Sequence, residues 1–227
     1  MKLEINIPTE LAEVKLSQYQ KFLKVAQDNE EDVFINQKMV QIFCGIDLKS
    51  VSEIKYKDVV EITNSLGRMF DVKSHKFVQR FKMGGVEFGF IPSLEDISFG
   101  EYTDLDNYLG DWEQMHRAMA VLYRPIKTNA VNGSYEIEKY NGSSTYCDVM
   151  KHAPLNVVLG ANVFFYNLGN ELLSSSMDYL DRETAKLTTQ QQRNLETDGG
   201  GILQSMLLLK ETLPDLMQLP IYRLRNA

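Results

Sequence analysis

The side chains that most often perform catalysis are few in this sequence, and they are scattered. Its three histidines are His75, His116 and His152, and none stands at a metal-ligand spacing from cysteines or carboxylates. His116 follows the apolar-polar rhythm of a helix and is next to Arg117, which favours a structural role. The histidines therefore predict neither a metal site nor a catalytic base.

Carboxylates and cysteines are the other candidates for chemistry. Asp104, Asp106 and Asp111 lack the twelve-residue spacing and closing glutamate of a calcium loop, so a solvated helix face is the preferred interpretation. Cys44 and Cys147 have no C-x-x-C partner and are typical of small buried hydrophobic residues. We expect no catalytic residue, no cofactor and no metal, although a small hydrolase using the three aspartates remains the weakest of three functional hypotheses.

Arg124 is the one charged residue whose setting is unusual. It lies in the run Met119–Ile126, between Tyr123 and Pro125, at the predicted end of a helix. Two interpretations are open. The guanidinium can cap carbonyl groups of the last helical turn and join the two lobes of the body, or its planar fork can form a ligand site that anchors a carboxylate through two parallel hydrogen bonds.

Length, composition and charge limit the class of protein. The chain has 227 residues, 44% hydrophobic and 24% charged, which is ordinary for globular domains and excludes disordered and fibrous classes. A net charge of −7 argues against general nucleic-acid binding. The N-terminus lacks a continuous apolar segment, and polar residues interrupt the apolar stretch 155–173, so we expect no membrane association and a cytoplasmic location.

Periodicity predicts a mainly α-helical α+β fold with short antiparallel β-hairpins. Apolar spacing and capping residues predict helices at 16–27, 31–44 (ended by Gly45), 56–69, from Ser98, from Gly110 to Tyr123 (ended by Pro125), and from Pro154 to Arg182 or beyond. Ser98 and Glu101 form a capping-box pattern. Alternation predicts a short strand of Leu3, Ile5 and Ile7, a hairpin at 76–91 turning at Gly84-Gly85, and a second β element at 127–145.

The chain divides into a body and a C-terminal appendage. The body, 1–183, contains two similar stretches, each with a proline followed by a helix that has an aromatic near its start. They indicate two related lobes, 1–75 and 76–183, or only the shared physics of such joints. A polar, glycine-containing linker, 184–201, leads to a leucine-rich helix and tail, 202–227.

The C-terminal helix has an apolar stripe that it cannot bury alone. It either docks back on the body or contacts a partner or a second copy. Our hypothesis for the partner-binding stripe comprises Ile202, Leu203, Met206, Leu207 and Leu213. The tail beyond it, Ile221-Tyr-Arg-Leu-Arg225, is locally basic in an acidic protein.

Four segments together resemble a family of proteins. They are Ile7-Pro8 with Leu16-Ser-Gln-Tyr19, Ile97-Ser-Phe-Gly-Glu-Tyr102 with Leu105, Met119–Ile126, and Gly160-Ala-Asn-Val-Phe-Phe165 with Leu168-Gly169. In order and spacing they are similar to tail-assembly chaperones and baseplate-hub assembly proteins of tailed bacteriophages. The residues expected to act as a structural signature are Ser98, Glu101, Tyr123, Arg124, Pro125, Phe164 and Phe165.

The resemblance implies non-enzymatic work in virion assembly. Such a protein chaperones or scaffolds a tail or baseplate component in the host cytoplasm, and its partners are other phage morphogenesis or virion proteins. A homo-oligomer is a further expectation. The alternative is a structural subunit of the virion, such as a connector, ring or baseplate part.

Overall fold

The computed structural model describes residues 5–29, 31–71, 75–130 and 133–185. Within these ranges the protein is mainly helical with one small antiparallel sheet, so the predicted fold class is confirmed. The predicted N-terminal strand lies partly outside the described residues, and residues 5–9 are not in a strand. The predicted linker beyond residue 185 and the predicted C-terminal helix and tail lie outside the described residues.

Four helices form the first part of the chain. They are α1 (Leu16–Gln27), α2 (Asp32–Cys44), α3 (Leu48–Glu53) and α4 (Tyr56–Phe70). The predicted helices at 16–27, 31–44 and 56–69 are confirmed, because their apolar spacing matches a buried face. Gly45 ends α2 with a φ of 68°, as its position predicts. The short α3 was missed, although Asp47 caps it by accepting a hydrogen bond from the Ser50 N–H.

The sheet contains four strands in the order β1-β2-β3-β4. These are β1 (Arg80–Met83), β2 (Val86–Phe90), β3 (Tyr123–Asn129) and β4 (Tyr135–Ile137), and all neighbours are antiparallel. Gly84 and Gly85 turn the first hairpin with φ angles of 58° and 80°, as predicted. The second predicted β element joins the first in one sheet, because β3 pairs with both β2 and β4.

The prediction that a helix runs to Tyr123 and is stopped by Pro125 was wrong at both ends. Helix α6 spans Met115–Leu122, and Tyr123, Arg124 and Pro125 belong to β3. The chain passes from helix to strand without a loop, because β3 begins directly after the last residue of α6. Within β3, Arg124 pairs with Gly89 of β2. Pro125 fits this strand because its carbonyl accepts a hydrogen bond from the Glu138 N–H while its ring supplies a suitable φ.

The remaining helices flank the sheet. Helix α5 spans Phe99–Tyr108, the four-residue α7 spans Cys147–Met150, and α8 spans Leu155–Ala185. The long helix after Pro154 was predicted and is confirmed; its 31 residues are about 46 Å long.

The starts of α1 and α8 are tied together by two backbone hydrogen bonds. The Leu16 N–H donates to the Ala153 carbonyl, and the Leu155 N–H donates to the Val14 carbonyl, at 2.9 and 2.8 Å. Buried side chains from both halves of the chain form one continuous cluster around this junction. The division into two related lobes stays a prediction.

Gly160 allows the first turns of α8 to touch the segment that precedes the sheet. A Cβ atom at this position would lie 2.4 Å from the Lys76 carbonyl oxygen, which is far inside van der Waals contact. The absence of a side chain at Gly160 therefore sets how closely α8 approaches residues 76–77.

We predict that Gly160→Ala lowers the free energy of unfolding by about 1–3 kcal/mol, because backbone must move to admit the methyl group. The usual helical advantage of alanine over glycine, about 0.5–1 kcal/mol, is too small to offset this. Urea unfolding measures the effect. Gly110→Ala is the matched control, since a Cβ there meets nothing within 4 Å, and equal stability of the two variants would contradict the prediction.

Candidate protein interaction site

Helix α5 begins with the capping box predicted from the sequence. The backbone N–H and the hydroxyl of Ser98 both donate to Glu101 Oε2 at 2.7 Å, and the Glu101 N–H donates to Ser98 Oγ at 3.3 Å. These bonds satisfy backbone groups that the first turn of a helix leaves free. They also fix the Glu101 side chain along the start of the helix.

The second oxygen of Glu101 forms a buried ion pair. Arg124 Nη2 lies 2.6 Å from Glu101 Oε1, and the two side chains are only 7% and 8% exposed. The carboxylate that Arg124 holds belongs to α5 of the same chain, so this pair has a structural role and joins β3 to α5. The interpretation of Arg124 as a site for a ligand carboxylate stays a prediction. The capping pattern was visible in the sequence, but nothing there indicates that Glu101 also reaches a strand.

Aromatic and acidic side chains complete the surroundings of Arg124. Its guanidinium lies 5.6 Å from the ring centre of Tyr140, whose hydroxyl donates to Asp104 Oδ2. The Ser143 N–H donates to the same oxygen at 3.3 Å. The Nε and Nη1 groups of Arg124 are buried without a hydrogen-bond partner in the described part of the chain. The pair with Glu101 is therefore the main compensation for the buried positive charge.

Burial and hydrogen bonding act in opposite directions on Glu101. Burial raises the pKa of its carboxyl group, while the donors of Ser98 and the charge of Arg124 lower it, and the net pKa lies below the ordinary value of 4.5. Glu101 is therefore ionised at neutral pH. Burial and the neighbouring Asp104 carboxylate raise the pKa of Tyr140, so its hydroxyl stays a donor.

The opposite side of α5 presents aromatic residues to solvent. Phe99 is 84% exposed and Tyr102 is 57% exposed, while Glu101 and Leu105 are the buried residues of this helix. Helical spacing places Phe99, Tyr102 and Asp106 on one side. We call these three residues the interaction face.

This burial pattern reverses the usual one. Phenylalanine is usually buried and glutamate is almost never buried unless it is paired. The capping box and the ion pair hold the acid inward, so the aromatic residues on the other side of the helix point outward. Glu95 and Asp96, which precede α5 in the chain, are also exposed, so the exposed charged residues in and just before this helix are acidic.

Of the other predicted signature residues, Tyr123 belongs to the core, and Phe164 and Phe165 are partly buried against it. Tyr123 is buried and its hydroxyl donates to the Val78 carbonyl at 2.6 Å. The ring of Phe164 stacks on that of Phe77 at 4.7 Å between ring centres, and Phe165 packs near Phe90. These aromatic residues link α8 to the sheet. They do not line the interaction face.

The three aspartates considered for chemistry have separate surroundings. Asp104 accepts hydrogen bonds from Tyr140 and Ser143, Asp106 is exposed, and Asp111 Oδ1 accepts from the Glu113 N–H at 2.8 Å. Among the described residues, no group of three or more histidine, cysteine, aspartate or glutamate side chains is arranged to hold a metal ion.

Cys44 and His116 show how burial acts on the cysteine and histidine side chains considered in the sequence. Cys44 is half-buried, and burial raises the pKa of its thiol to about 11. Burial lowers the pKa of His116, and its Nδ1 lies 3.2 Å from Gln20 Nε2.

The predicted partner-binding stripe lies outside the described residues. It comprises Ile202, Leu203, Met206, Leu207 and Leu213. In the described ranges, no helix is both long and apolar enough to span a bilayer.

We predict that Glu101→Gln lowers the free energy of unfolding at pH 7 by about 3–5 kcal/mol, because the neutral amide leaves the Arg124 charge buried and uncompensated. Urea denaturation measures the loss. Asp106→Asn, the same chemical change on the exposed side of the same helix, should alter stability by no more than about 0.5 kcal/mol.

The pH dependence of the stability difference between wild type and Glu101→Gln tests this prediction. The folded-state pKa of Glu101 lies below the unfolded value, so its contribution is complete above about pH 4.5 and is lost as the pH falls through the folded-state pKa. The stability difference between wild type and Glu101→Gln should narrow over that range. A difference that is the same at pH 7 and pH 3 would contradict the assignment.

Neither protein-family models, nor curated proteins, nor solved structures match the chain.

Proposed function

We propose that this protein is a non-enzymatic assembly protein that binds another protein through the interaction face of α5. The observation that carries the proposal is the reversed burial of this helix, with Glu101 inside and Phe99 and Tyr102 outside. A protein with a solvent-exposed phenylalanine on a capped helix has a surface suited to binding a partner.

The interaction face has the properties of a protein-binding hot spot. Complete burial of a phenylalanine side chain contributes about 1.5–3 kcal/mol, and aromatic residues are enriched among the few residues that dominate binding energy. The capping box and the Arg124 pair already hold α5 in place. Binding therefore requires little additional ordering, which favours affinity.

The charges around the face indicate the chemistry of the partner. Asp106 belongs to the face, Glu95 and Asp96 are exposed a few residues before it in the chain, and the whole chain has a net charge of −7. A partner segment with lysine or arginine next to apolar side chains complements this surface in charge and in hydrophobicity.

The resemblance supplies the biological setting of the proposal. Proteins similar to tail-assembly chaperones and baseplate-hub assembly proteins hold an aggregation-prone virion component until it polymerises. We place this protein in the same role, in the host cytoplasm, with a phage tail or baseplate component as partner. An exposed aromatic face on an acidic protein suits such holding, because the face covers apolar surface on the partner while the net charge of the chain opposes self-association.

We predict that the double variant F99S/Y102S loses at least tenfold in capture of its partner when the full chain is co-expressed with the products of neighbouring genes. Two aromatic contacts are lost from the centre of the interface, at a cost that alanine scanning places at about 2 kcal/mol or more for each hot-spot residue. Affinity capture followed by quantitative mass spectrometry measures the effect.

The matched control for this experiment is V33S/Y56S. Val33 and Tyr56 are 54% and 77% exposed, on α2 and α4. This variant removes a similar amount of exposed apolar surface from elsewhere on the protein and should capture the partner normally. Equal capture by wild type and F99S/Y102S would refute the proposed face.

We predict that purified phage particles contain this protein at far less than stoichiometric copy number, since an assembly chaperone leaves its client when the client polymerises. Quantitative mass spectrometry of gradient-purified particles, calibrated on the major tail protein, measures the copy number. A stoichiometric copy number would replace the chaperone role with the alternative role of a connector, ring or baseplate subunit.

A further inference from the structure

We infer that Gln20 and His116 form a proton-controlled latch, which holds the loop between α5 and α6 on α1 while His116 is neutral and releases it when His116 is protonated. The loop comprises residues 109–114 and contains Trp112, the only tryptophan of the chain. The latch is separate from the interaction face, so it does not depend on the proposed binding of a partner.

Three contacts of the Gln20 side chain make the latch. Its Nε2 group donates to the Trp112 carbonyl at 2.8 Å and to the Glu113 carbonyl at 3.1 Å, and it lies 3.2 Å from Nδ1 of His116. The two carbonyl groups fix the orientation of the amide, because an oxygen in place of Nε2 would face two other oxygens. The Gln20 donor therefore faces Nδ1, which acts as the acceptor when the proton of the neutral ring is on Nε2.

Protonation of His116 turns this acceptor into a donor. The new Nδ1–H group faces the N–H groups of Gln20, and two donors repel each other. It also competes with Gln20 for the Glu113 carbonyl, whose hydrogen bond favours the protonated ring. Gln20 then turns away, and the loop loses its hydrogen bonds to α1.

The surroundings of His116 keep the ring neutral in the latched state. Burial, Lys151 after α7 and the neighbouring Arg117 of α6 lower the pKa of His116, whereas the Glu113 carbonyl and Asp148 of α7 raise it. The net pKa lies below the ordinary value of 6.5. Because a solvent-exposed ring has the ordinary pKa, the latched state is complete above about pH 6.5 and is lost as the pH falls through the latched-state pKa.

Release of the loop changes the surroundings of Trp112. In the latched state its ring lies edge-on to Tyr19, with 5.0 Å between the ring centres, and Tyr19 is fully buried. Beside this contact, a groove of about 330 Å³ lies between the loop and Leu23 of α1. Packing between the loop and α1 is therefore incomplete, which makes the hydrogen bonds of Gln20 important for holding the loop in place.

Fluorescence of Trp112 tests the latch in the full-length chain. Between about pH 8 and about pH 5 we expect the emission maximum to move to longer wavelength and the acrylamide quenching constant to rise at least about twofold. The midpoint should equal the pKa of His116 measured by NMR of its ring. Emission intensity is not used, because a protonated imidazole quenches tryptophan without any movement. Far-UV circular dichroism should stay constant over this range, which separates release from unfolding.

A pair of histidine variants separates the latch from general effects of acid. His116→Asn keeps an acceptor near the position of Nδ1 but cannot be protonated, so its Trp112 emission should stay at the neutral-pH value down to about pH 5. His152→Asn is the matched control, because it makes the same change at an exposed histidine. Its emission should titrate as in the wild type.

A third variant tests the coupling between the two latch residues. Gln20→Met removes the amide at similar side-chain size, so Trp112 should show the released emission at every pH. The pKa of His116 should rise by about 0.5, because a donor that favours the neutral ring is gone.

Three results would overturn the latch: constant Trp112 emission while His116 titrates, the same emission change in His116→Asn, or a His116 that stays neutral until the chain unfolds. An unchanged pKa of His116 in Gln20→Met would overturn it as well. If Gln20→Met does not fold, the titrations of wild type and His116→Asn still decide the outcome.

Discussion

The buried ion pair between Arg124 and Glu101 sets the orientation of α5, and the character of the protein surface depends on that orientation. Taking two charges out of water costs free energy that their attraction largely offsets, so such a pair adds little net stability. The pair instead fixes the orientation of α5. With Glu101 held on Arg124 and on the Ser98 cap, α5 has one rotation about its axis, and that rotation puts Phe99 and Tyr102 in solvent.

The pair is effective because Arg124 is itself held rigidly. It lies in β3, where Gly89 of β2 is its partner, and its neighbour Tyr123 is buried against Phe90 with ring centres 5.3 Å apart. Phe90 also contacts Phe164 of α8 at 5.3 Å. A continuous set of packed side chains therefore connects the base of α8, the sheet and α5. The interaction face is an outer surface of this packed unit, which suits the proposed role of presenting a binding surface without rearrangement.

Local sequence preferences and tertiary packing agree over most of the described chain and disagree at α5 and β3. Where an apolar stripe of helical period exists, as in α1 and α4, it is the buried face. In α5 the apolar residues are divided between the two sides and a carboxylate takes a core position. In β3 a proline that usually ends an element lies inside a strand. Departures of this kind tend to concentrate at functional sites, where local consistency is given up for another requirement.

The sequence by itself determined most of the longer helices, the Gly84-Gly85 hairpin, the cap at Ser98 and the mainly helical α+β class, because each depends on interactions among residues close in the chain. It could not reveal that Glu101 pairs with Arg124, that β3 begins at Tyr123, or that Phe99 faces water. Those features depend on contacts between distant segments, and burial of a particular side chain is decided only when the sheet and α5 meet. For that reason the residues of the capping box were found from the sequence, whereas the interaction face that they orient was found only from the tertiary structure.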